Sequence, residues 1–114
     1  MSIYSNLPVY KTSYDLLLNL FKFSNNFSRD YKYTLGENIK KEVVDLISNI
    51  YFCNREIIGR KEKIVMAQKN IETIRLYLRL IKDLRQINLK KFIVLNEQIE
   101  SISKQLTAWK KTCK

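Results

Sequence analysis

The sequence predicts an all-α fold, an up-down-up-down four-helix bundle that occupies the whole chain, 1–114, as a single domain. Only two glycines and one proline interrupt the 114 residues, which favours long helices over β-turns. Apolar residues make up 46% of the chain, enough for a folded core. In four successive segments they recur at alternating spacings of three and four residues, which is typical of amphipathic helices.

The first predicted helix spans about 8–27 and is apolar around most of its circumference. Its polar residues follow one narrow stripe: Lys11, Asp15, Asn19, Lys22 and Asn26. A helix this apolar requires two neighbours to cover it. Its surplus apolar surface also predicts an interface between copies of the chain.

The second predicted helix begins at Thr34, where Thr34 and Glu37 have the spacing of a capping box. Its apolar line then steps by four and three: Ile39, Val43, Leu46, Ile50, Cys53 and Ile57. The heptad phase continues past Gly59, so one bent helix of about fifty residues is an alternative. We favour a break at Gly59, because helices of that length are rare outside coiled coils.

The third and fourth predicted helices carry two further apolar lines. The third line is Ile64, Ala67, Ile71, Ile74, Leu78 and Ile81, and the fourth is Phe92, Leu95, Ile99, Ile102, Leu106 and Trp109. Between them, Asn88 is a suitable N-cap, and Ile87 and Phe92 are spaced for a hydrophobic staple. At 1.5 Å per residue, each helix would be ~35 Å long.

The net charge of +10 is concentrated in the second half of the chain. Residues 1–58 hold seven Lys/Arg against six Asp/Glu, whereas residues 59–114 hold fourteen against five. Self-repulsion opposes the compact state unless such a surface meets an anionic partner or counterions. Nucleic acid is therefore the first candidate partner.

The candidate nucleic-acid-binding residues all lie on the third predicted helix or at its ends. Arg75, Arg79 and Lys82 form one line beside the core line. The remaining candidates flank that line or precede it: Lys69, Arg85, Arg60, Lys61 and Lys63. Guanidinium groups suit phosphate because their fork donates two parallel hydrogen bonds.

An alternative interpretation of these cations is a solvated helix face whose long stems cover the edge of the core. On the same helix Glu72 can pair with Arg75, and Asp83 with Arg79, but two carboxylates cannot neutralise the whole line. A membrane surface fits less well, because the apolar faces are committed to a core.

The sequence offers no support for catalysis, and we expect neither enzymatic activity nor a cofactor or metal. The chain has no histidine and no glycine-rich phosphate loop. Cys53 and Cys113 lack metal-binding spacing, and we expect reduced thiols. No signal peptide or span of ~20 apolar residues is present, so we expect a soluble cytoplasmic protein.

Five short stretches carry a resemblance to a known family: Leu7-Pro8-Val9-Tyr10, Tyr14-Asp15-Leu16-Leu17, Tyr33-Thr34-Leu35-Gly36, Leu76-Tyr77-Leu78-Arg79-Leu80 with Asp83-Leu84, and Leu106-Thr107-Ala108-Trp109-Lys110. In this order and at these separations they resemble the accessory variability determinants, four-helix-bundle proteins of diversity-generating retroelements. The Leu-Gly-x-Trp that often closes the family is here Leu106-Thr107-Ala108-Trp109 and lacks its glycine.

The resemblance implies a barrel-like homopentamer with a basic surface. It also implies a protein that binds an error-prone reverse transcriptase and its template RNA, and that supports mutagenic cDNA synthesis without performing chemistry. Arg75 and Arg79 match the basic positions on the family's third helix.

A second hypothesis belongs to another functional class. The chain is more loosely similar to the bundle proteins encoded in intervening sequences of bacterial large-subunit ribosomal RNA. On that hypothesis it is a structural helical adaptor whose basic face binds an acidic protein, with no nucleic acid bound.

Overall fold

The computed structural model describes residues 7–113. Its helices are α1 (Pro8–Ser24), the single-turn α2 (Arg29–Lys32), α3 (Leu35–Arg55), α4 (Arg60–Asp83) and α5 (Leu89–Lys111). The four long helices correspond to the four predicted ones and form a body of 44 × 26 × 22 Å. α1 and α4 each pack against both α3 and α5, so they stand at diagonal corners of the predicted four-helix bundle.

The apolar lines of α4 and α5 supply much of the core, as predicted. All six residues of the α4 line are buried, and so are Leu95, Ile99, Ile102 and Leu106 of the α5 line. Phe92 and Trp109, which begin and end the α5 line, are half-buried and pack against the core. The spacing of apolar residues was therefore sufficient to assign the buried faces of these two helices.

The connection after α1 differs from the prediction. α1 ends at Ser24 rather than near Phe27, but Phe27 is still buried because the chain turns there and its N–H donates to the Ser24 carbonyl. Gly36 lies against this turn: a Cβ there would be 3.4 Å from both the Phe27 ring and the Tyr31 carbonyl oxygen, an ordinary van der Waals distance. α3 therefore starts in contact with the turn.

The predicted capping box at the start of α3 is wrong in its hydrogen bonds, although the helix does begin at Leu35. The Thr34 hydroxyl donates back to the Asp30 carbonyl at 2.9 Å, and Glu37 forms an ion pair with Lys40 at 2.8 Å. Because α2 supplies this nearby carbonyl, the hydroxyl has a partner that the sequence pattern did not reveal.

The predicted break between α3 and α4 is confirmed. Gly59 has φ +80°, a left-handed conformation that glycine adopts without steric cost. The same break makes the placement of Ile57 in the core wrong. α3 ends at Arg55, and Ile57 is 80% exposed in the connecting loop.

The connection between α4 and α5 contains the predicted cap. The Asn88 side-chain oxygen accepts a hydrogen bond from the Lys91 N–H at 2.8 Å. Just before it, Arg85 has φ +60°, a conformation that disfavours any residue with a Cβ.

Polar side chains also link the long helices in pairs. Asn70 of α4 accepts a hydrogen bond from the Asn49 side chain at 2.8 Å and donates one to Glu42 at 2.7 Å, both on α3. On the other side of the bundle, Asn19 of α1 donates to Gln98 of α5 at 3.2 Å. These bonds satisfy half-buried amides beside the core.

Both cysteines are free thiols, and Cys53 lies in the core as predicted. Burial raises the pKa of the Cys53 thiol to about 11, against the opposing effect of the Arg60 guanidinium. A raised pKa keeps the thiol protonated and unreactive at neutral pH.

Candidate nucleic-acid interface

The predicted line Arg75, Arg79 and Lys82 runs along the side of α4 that faces α5. Arg75 and Arg79 line a shallow cavity of about 240 Å³ together with Leu78, Phe92, Asn96 and Glu100. Lys82 continues the line, with its Nζ 4.9 Å from the centre of the Phe92 ring. The three cations are therefore brought together, but in a groove between two helices.

Arg75 is committed to ion pairs. Its Nη2 and Nε donate to Glu100 Oε2 at 2.9 and 3.2 Å, and its Nη1 donates to Glu72. The Arg75 side chain is 31% exposed. The guanidinium thus ties α4 to α5, and two carboxylates already occupy the donors that a phosphate would need.

Arg79 and Arg85 present more of their side chains to solvent. Arg79 is 73% exposed, and its pair with Asp83 is longer, 3.3 Å from Nε to Oδ2. Arg85 is exposed in the turn that follows α4. An exposed pair of this kind stabilises the fold little, so Arg79 can exchange its partner for a phosphate at small cost.

The candidates that precede the line, Arg60, Lys61 and Lys63, lie at the start of α4. They differ in how far their charged groups are available to a ligand. Arg60 Nε donates to the Cys53 carbonyl at 2.6 Å and to the Glu56 carbonyl at 3.2 Å, so Arg60 caps the end of α3. Lys63 is half-buried with its Nζ 5.0 Å from the Phe52 ring centre, whereas Lys61 is exposed.

Lys69 lies alone between these two groups. It is exposed beside a groove of about 380 Å³ between α4 and α5 that Glu72, Ser103 and Thr107 also line. From Arg60 to Lys82 the helix rises about 33 Å at 1.5 Å per residue. The eight candidates therefore do not form one continuous surface. Three lie at the start of α4 (Arg60, Lys61 and Lys63), two at its end (Lys82 and Arg85), and three between them (Lys69, Arg75 and Arg79).

At each end of the bundle, cations from other helices join those of α4. One end, which we call the α3–α4 end, also contains the end of α5, since Arg60 lies 5.9 Å from the Trp109 ring centre. Among residues 7–113, this end has two carboxylates, Glu56 and Glu62. Its cations in the same range are Arg55, Arg60, Lys61, Lys63, Lys110 and Lys111.

The other end, the α4–α5 end, contains the end of α1, all of α2 and the start of α3. The Ser28 N–H donates to Gln86 Oε1 at 2.7 Å, and Lys91 Nζ lies 5.2 Å from the Phe23 ring centre. Its carboxylates are Asp30, Glu37 and Asp83, and its cations are Lys22, Arg29, Lys32, Lys40, Lys41, Lys82, Arg85, Lys90 and Lys91.

The central part of the bundle is close to neutral. Its cations are Lys11, Lys69, Arg75, Arg79 and Lys104, and its carboxylates are Asp15, Glu42, Asp45, Glu72, Glu97 and Glu100. Positive potential is therefore concentrated at the two ends.

Comparison with known proteins gives one family. A family model described as bAvd-like matches residues 8–113, nearly the whole chain. The chain belongs to the bAvd-like family. This match agrees with the resemblance of the sequence to the accessory variability determinants of diversity-generating retroelements. Among the curated proteins, no significant match to the chain is found.

Two further features of the described chain bear on what this bAvd-like protein contacts. Within residues 7–113, no helix has the length and apolar character that crossing a membrane requires. No group of three or more His, Cys, Asp or Glu side chains in the same part of the chain is placed to hold a metal ion.

Sequence reasoning missed two features of the basic surface. It paired Arg75 with Glu72 on the same helix, which is observed, but Glu100 comes from another helix and no spacing rule reveals it. It also attributed the basic character to the second half of the chain. Lys22, Arg29 and Lys32 join the α4–α5 end only because the bundle folds α1 and α2 beside it.

Proposed function

We propose that this bAvd-like protein is a non-catalytic accessory subunit that binds nucleic acid. It associates with a retroelement reverse transcriptase and its template RNA, and thereby supports mutagenic cDNA synthesis. The observation that carries this proposal is the pair of strongly basic ends on a chain of this family. The chemistry of cDNA synthesis belongs to the polymerase.

The basic ends suit the phosphate backbone rather than base edges. Their Lys and Arg side chains are long and mostly exposed, and they donate hydrogen bonds without accepting any. Contacts of this kind position a protein on nucleic acid but carry no sequence information. The subunit would therefore hold RNA or cDNA in place while the polymerase selects bases.

A homopentamer, as the family resemblance implies, would strengthen such binding. Each basic end would be present five times on one assembly, so contacts that are individually weak would act together through a high effective concentration.

Fluorescence polarisation with unrelated labelled RNAs across a salt series tests the proposal. Two double variants each remove two end charges: Lys82→Gln with Arg85→Gln, and Lys61→Gln with Lys110→Gln. The matched control, Lys11→Gln with Lys104→Gln, removes the same charge from the neutral centre. We expect each end variant to lose at least ~10-fold in affinity and to flatten the slope of log K against log salt by roughly two units.

The outcomes separate the hypotheses. An equal loss in the control would mean that net charge alone, and not the ends, drives binding. Parent protein that binds no RNA or DNA at low salt would contradict the nucleic-acid role. The adaptor hypothesis, with an acidic protein on the basic surface, would then replace it.

A further inference from the structure

At both basic ends of the bundle, cations lie close to aromatic rings. At the α3–α4 end Lys63 Nζ is 5.0 Å from the Phe52 ring centre, and at the α4–α5 end Lys91 Nζ is 5.2 Å from the Phe23 ring centre. Cations interleaved with aromatic rings are what many proteins use to bind single-stranded nucleic acid, because unpaired bases stack on the rings while the cations contact the backbone. The ends therefore offer more than charge to a nucleic acid.

One of these rings lines an open groove between α3 and the start of α4. The groove has a volume of about 450 Å³, and its lining includes Ser48, Tyr51, Phe52, Arg55, Glu56 and Lys63. Phe52 follows the fully buried Ile50 by two residues, about 200° round the helix, so its ring points away from the core. The ring is half-buried and forms part of the groove wall.

The groove lies within the basic α3–α4 end, and its cations are held at its edges. Arg55 is exposed, and its guanidinium donates to the Tyr51 hydroxyl at 2.8 Å and lies 5.6 Å from the Tyr51 ring centre. Lys63 is a flexible ammonium whose contact with the Phe52 ring beside water is weak, so it can leave the ring face at small cost. A nucleotide in the groove would thus have cations on both sides for its phosphates.

The two cavities between α4 and α5 lack this combination of ring and available cations. The groove of about 380 Å³ beside Lys69 has no aromatic side chain in its described lining. The cavity of about 240 Å³ has the Phe92 ring, but its Arg75 is already held by two carboxylates. The groove beside Phe52 is therefore the better site for a nucleotide.

We propose that this groove holds one unpaired base of single-stranded RNA or cDNA, which stacks on the Phe52 ring while Arg55 and Lys63 contact its backbone phosphates. Neighbouring base pairs cover both faces of a base in a duplex, so only an unpaired base presents a face to the ring. Stacking on a ring tolerates any base, since every base has such a face. This inference rests on the proposed function and names the form of nucleic acid that the α3–α4 end binds.

Fluorescence polarisation tests the proposal with a labelled single strand of RNA and with the same strand annealed to its complement. Phe52→Leu keeps an apolar side chain and removes the ring. We expect it to lose at least ~5-fold in affinity for the single strand, the low end of what stacking one base contributes, and to bind the duplex as the parent does. The slope of log K against log salt should not change, because no charge is removed.

Two further variants serve as controls. Phe52→Tyr keeps a ring at the same place and should keep the parent's affinity for the single strand. Phe23→Leu makes the matched change to a ring that also lies near a lysine but packs against the core at the other end, outside the groove. It should bind both probes as the parent does, and circular dichroism checks that every variant keeps its helicity.

Photocross-linking of the parent protein gives a readout that needs no variant. A single strand that contains iodouridine is irradiated in the complex, and mass spectrometry of the digested protein locates the cross-linked residue. We expect the cross-link at Phe52 or at Tyr51 beside it.

The outcomes separate this inference from the proposed function. The proposal is overturned, with the proposed function intact, if Phe52→Leu binds the single strand as tightly as the parent, if it loses the duplex equally, or if Phe23→Leu loses as much. Cross-links that form only outside the groove would overturn it in the same way. A parent that binds neither probe would contradict the proposed function itself, and this inference with it.

Discussion

The middle of α4 and its two ends carry the same kinds of cation but hold them differently. In the middle, Arg75 donates to carboxylates on its own helix and on α5. At the ends, Lys61 in the first turn of α4 and Arg85 in the turn after α4 are exposed to water. The difference teaches that a line of basic residues read along one helix does not measure the charge available to a ligand, because carboxylates on the neighbouring helix decide which cations are already neutralised.

The largest expected effect is a loss of stability from a charge placed in the core beneath the central part of the bundle. Ile74→Asp or Ile99→Asp places a carboxylate where the side chain is at most 1% exposed, with no cation to pair with it. We expect a loss of ~4 kcal/mol or more, enough to unfold many domains of this size. Thermal melting followed by circular dichroism measures it.

The matched control is Ile93→Asp, which puts the same group on the exposed side of α5. Its melting temperature should stay close to that of the parent. Near-parental melting of Ile74→Asp or Ile99→Asp would mean that the buried faces are assigned wrongly.

The break at Gly59 was predicted because helices of about fifty residues are rare outside coiled coils. The apolar spacing identified the buried faces, because burial repeats with the helical period along one chain. Ile57 shows the limit of that signal: its spacing continued the α3 line, but the helix stops at Arg55. Thr34 and Arg75 show another limit. Their partners, Asp30 and Glu100, come from a short helix and from a neighbouring one, and only the folded arrangement brings them close.

An intermediate effect is expected from releasing Arg75. Glu72→Gln with Glu100→Gln removes both of its carboxylates, so the middle of α4 should come to resemble the ends. We expect a loss of roughly 1 kcal/mol in the free energy of unfolding, typical of partly exposed ion pairs. We also expect RNA affinity to rise with a steeper salt dependence, since one more cation becomes available.

Chemical denaturation and the polarisation assay measure the two quantities on the same sample. The control combines Glu97→Gln with Asp45→Asn, which removes two exposed carboxylates of the central part and changes the net charge equally. An equal gain in RNA affinity in both double variants would mean that total charge, and not the release of Arg75, is responsible.

The smallest expected effect concerns Arg85 at the α4–α5 end. Arg85→Gly removes a Cβ from a residue with φ +60°, so we expect the free energy of unfolding to increase by about 0.5–1 kcal/mol. RNA affinity should fall modestly at the same time, because an end cation is lost. Arg85→Ala separates the two effects, since it removes the cation and keeps the Cβ; a gain in stability there would contradict the backbone explanation.

The hydrogen bonds from Asn49 to Asn70 and from Asn70 to Glu42 also select one alignment of α3 against α4. Both apolar lines repeat every seven residues, so α4 could slide by one heptad, about 10.5 Å, and still place apolar side chains on apolar ones. Such a slide would strand three half-buried polar groups, at about 1–3 kcal/mol for each group without a partner. A polar contact among apolar repeats of this kind therefore specifies the register of the two helices, as a buried asparagine does in coiled coils. These hydrogen bonds destabilise packings in which α4 is shifted by a heptad against α3. With apolar heptad contacts alone, such packings would be almost as stable as the native one.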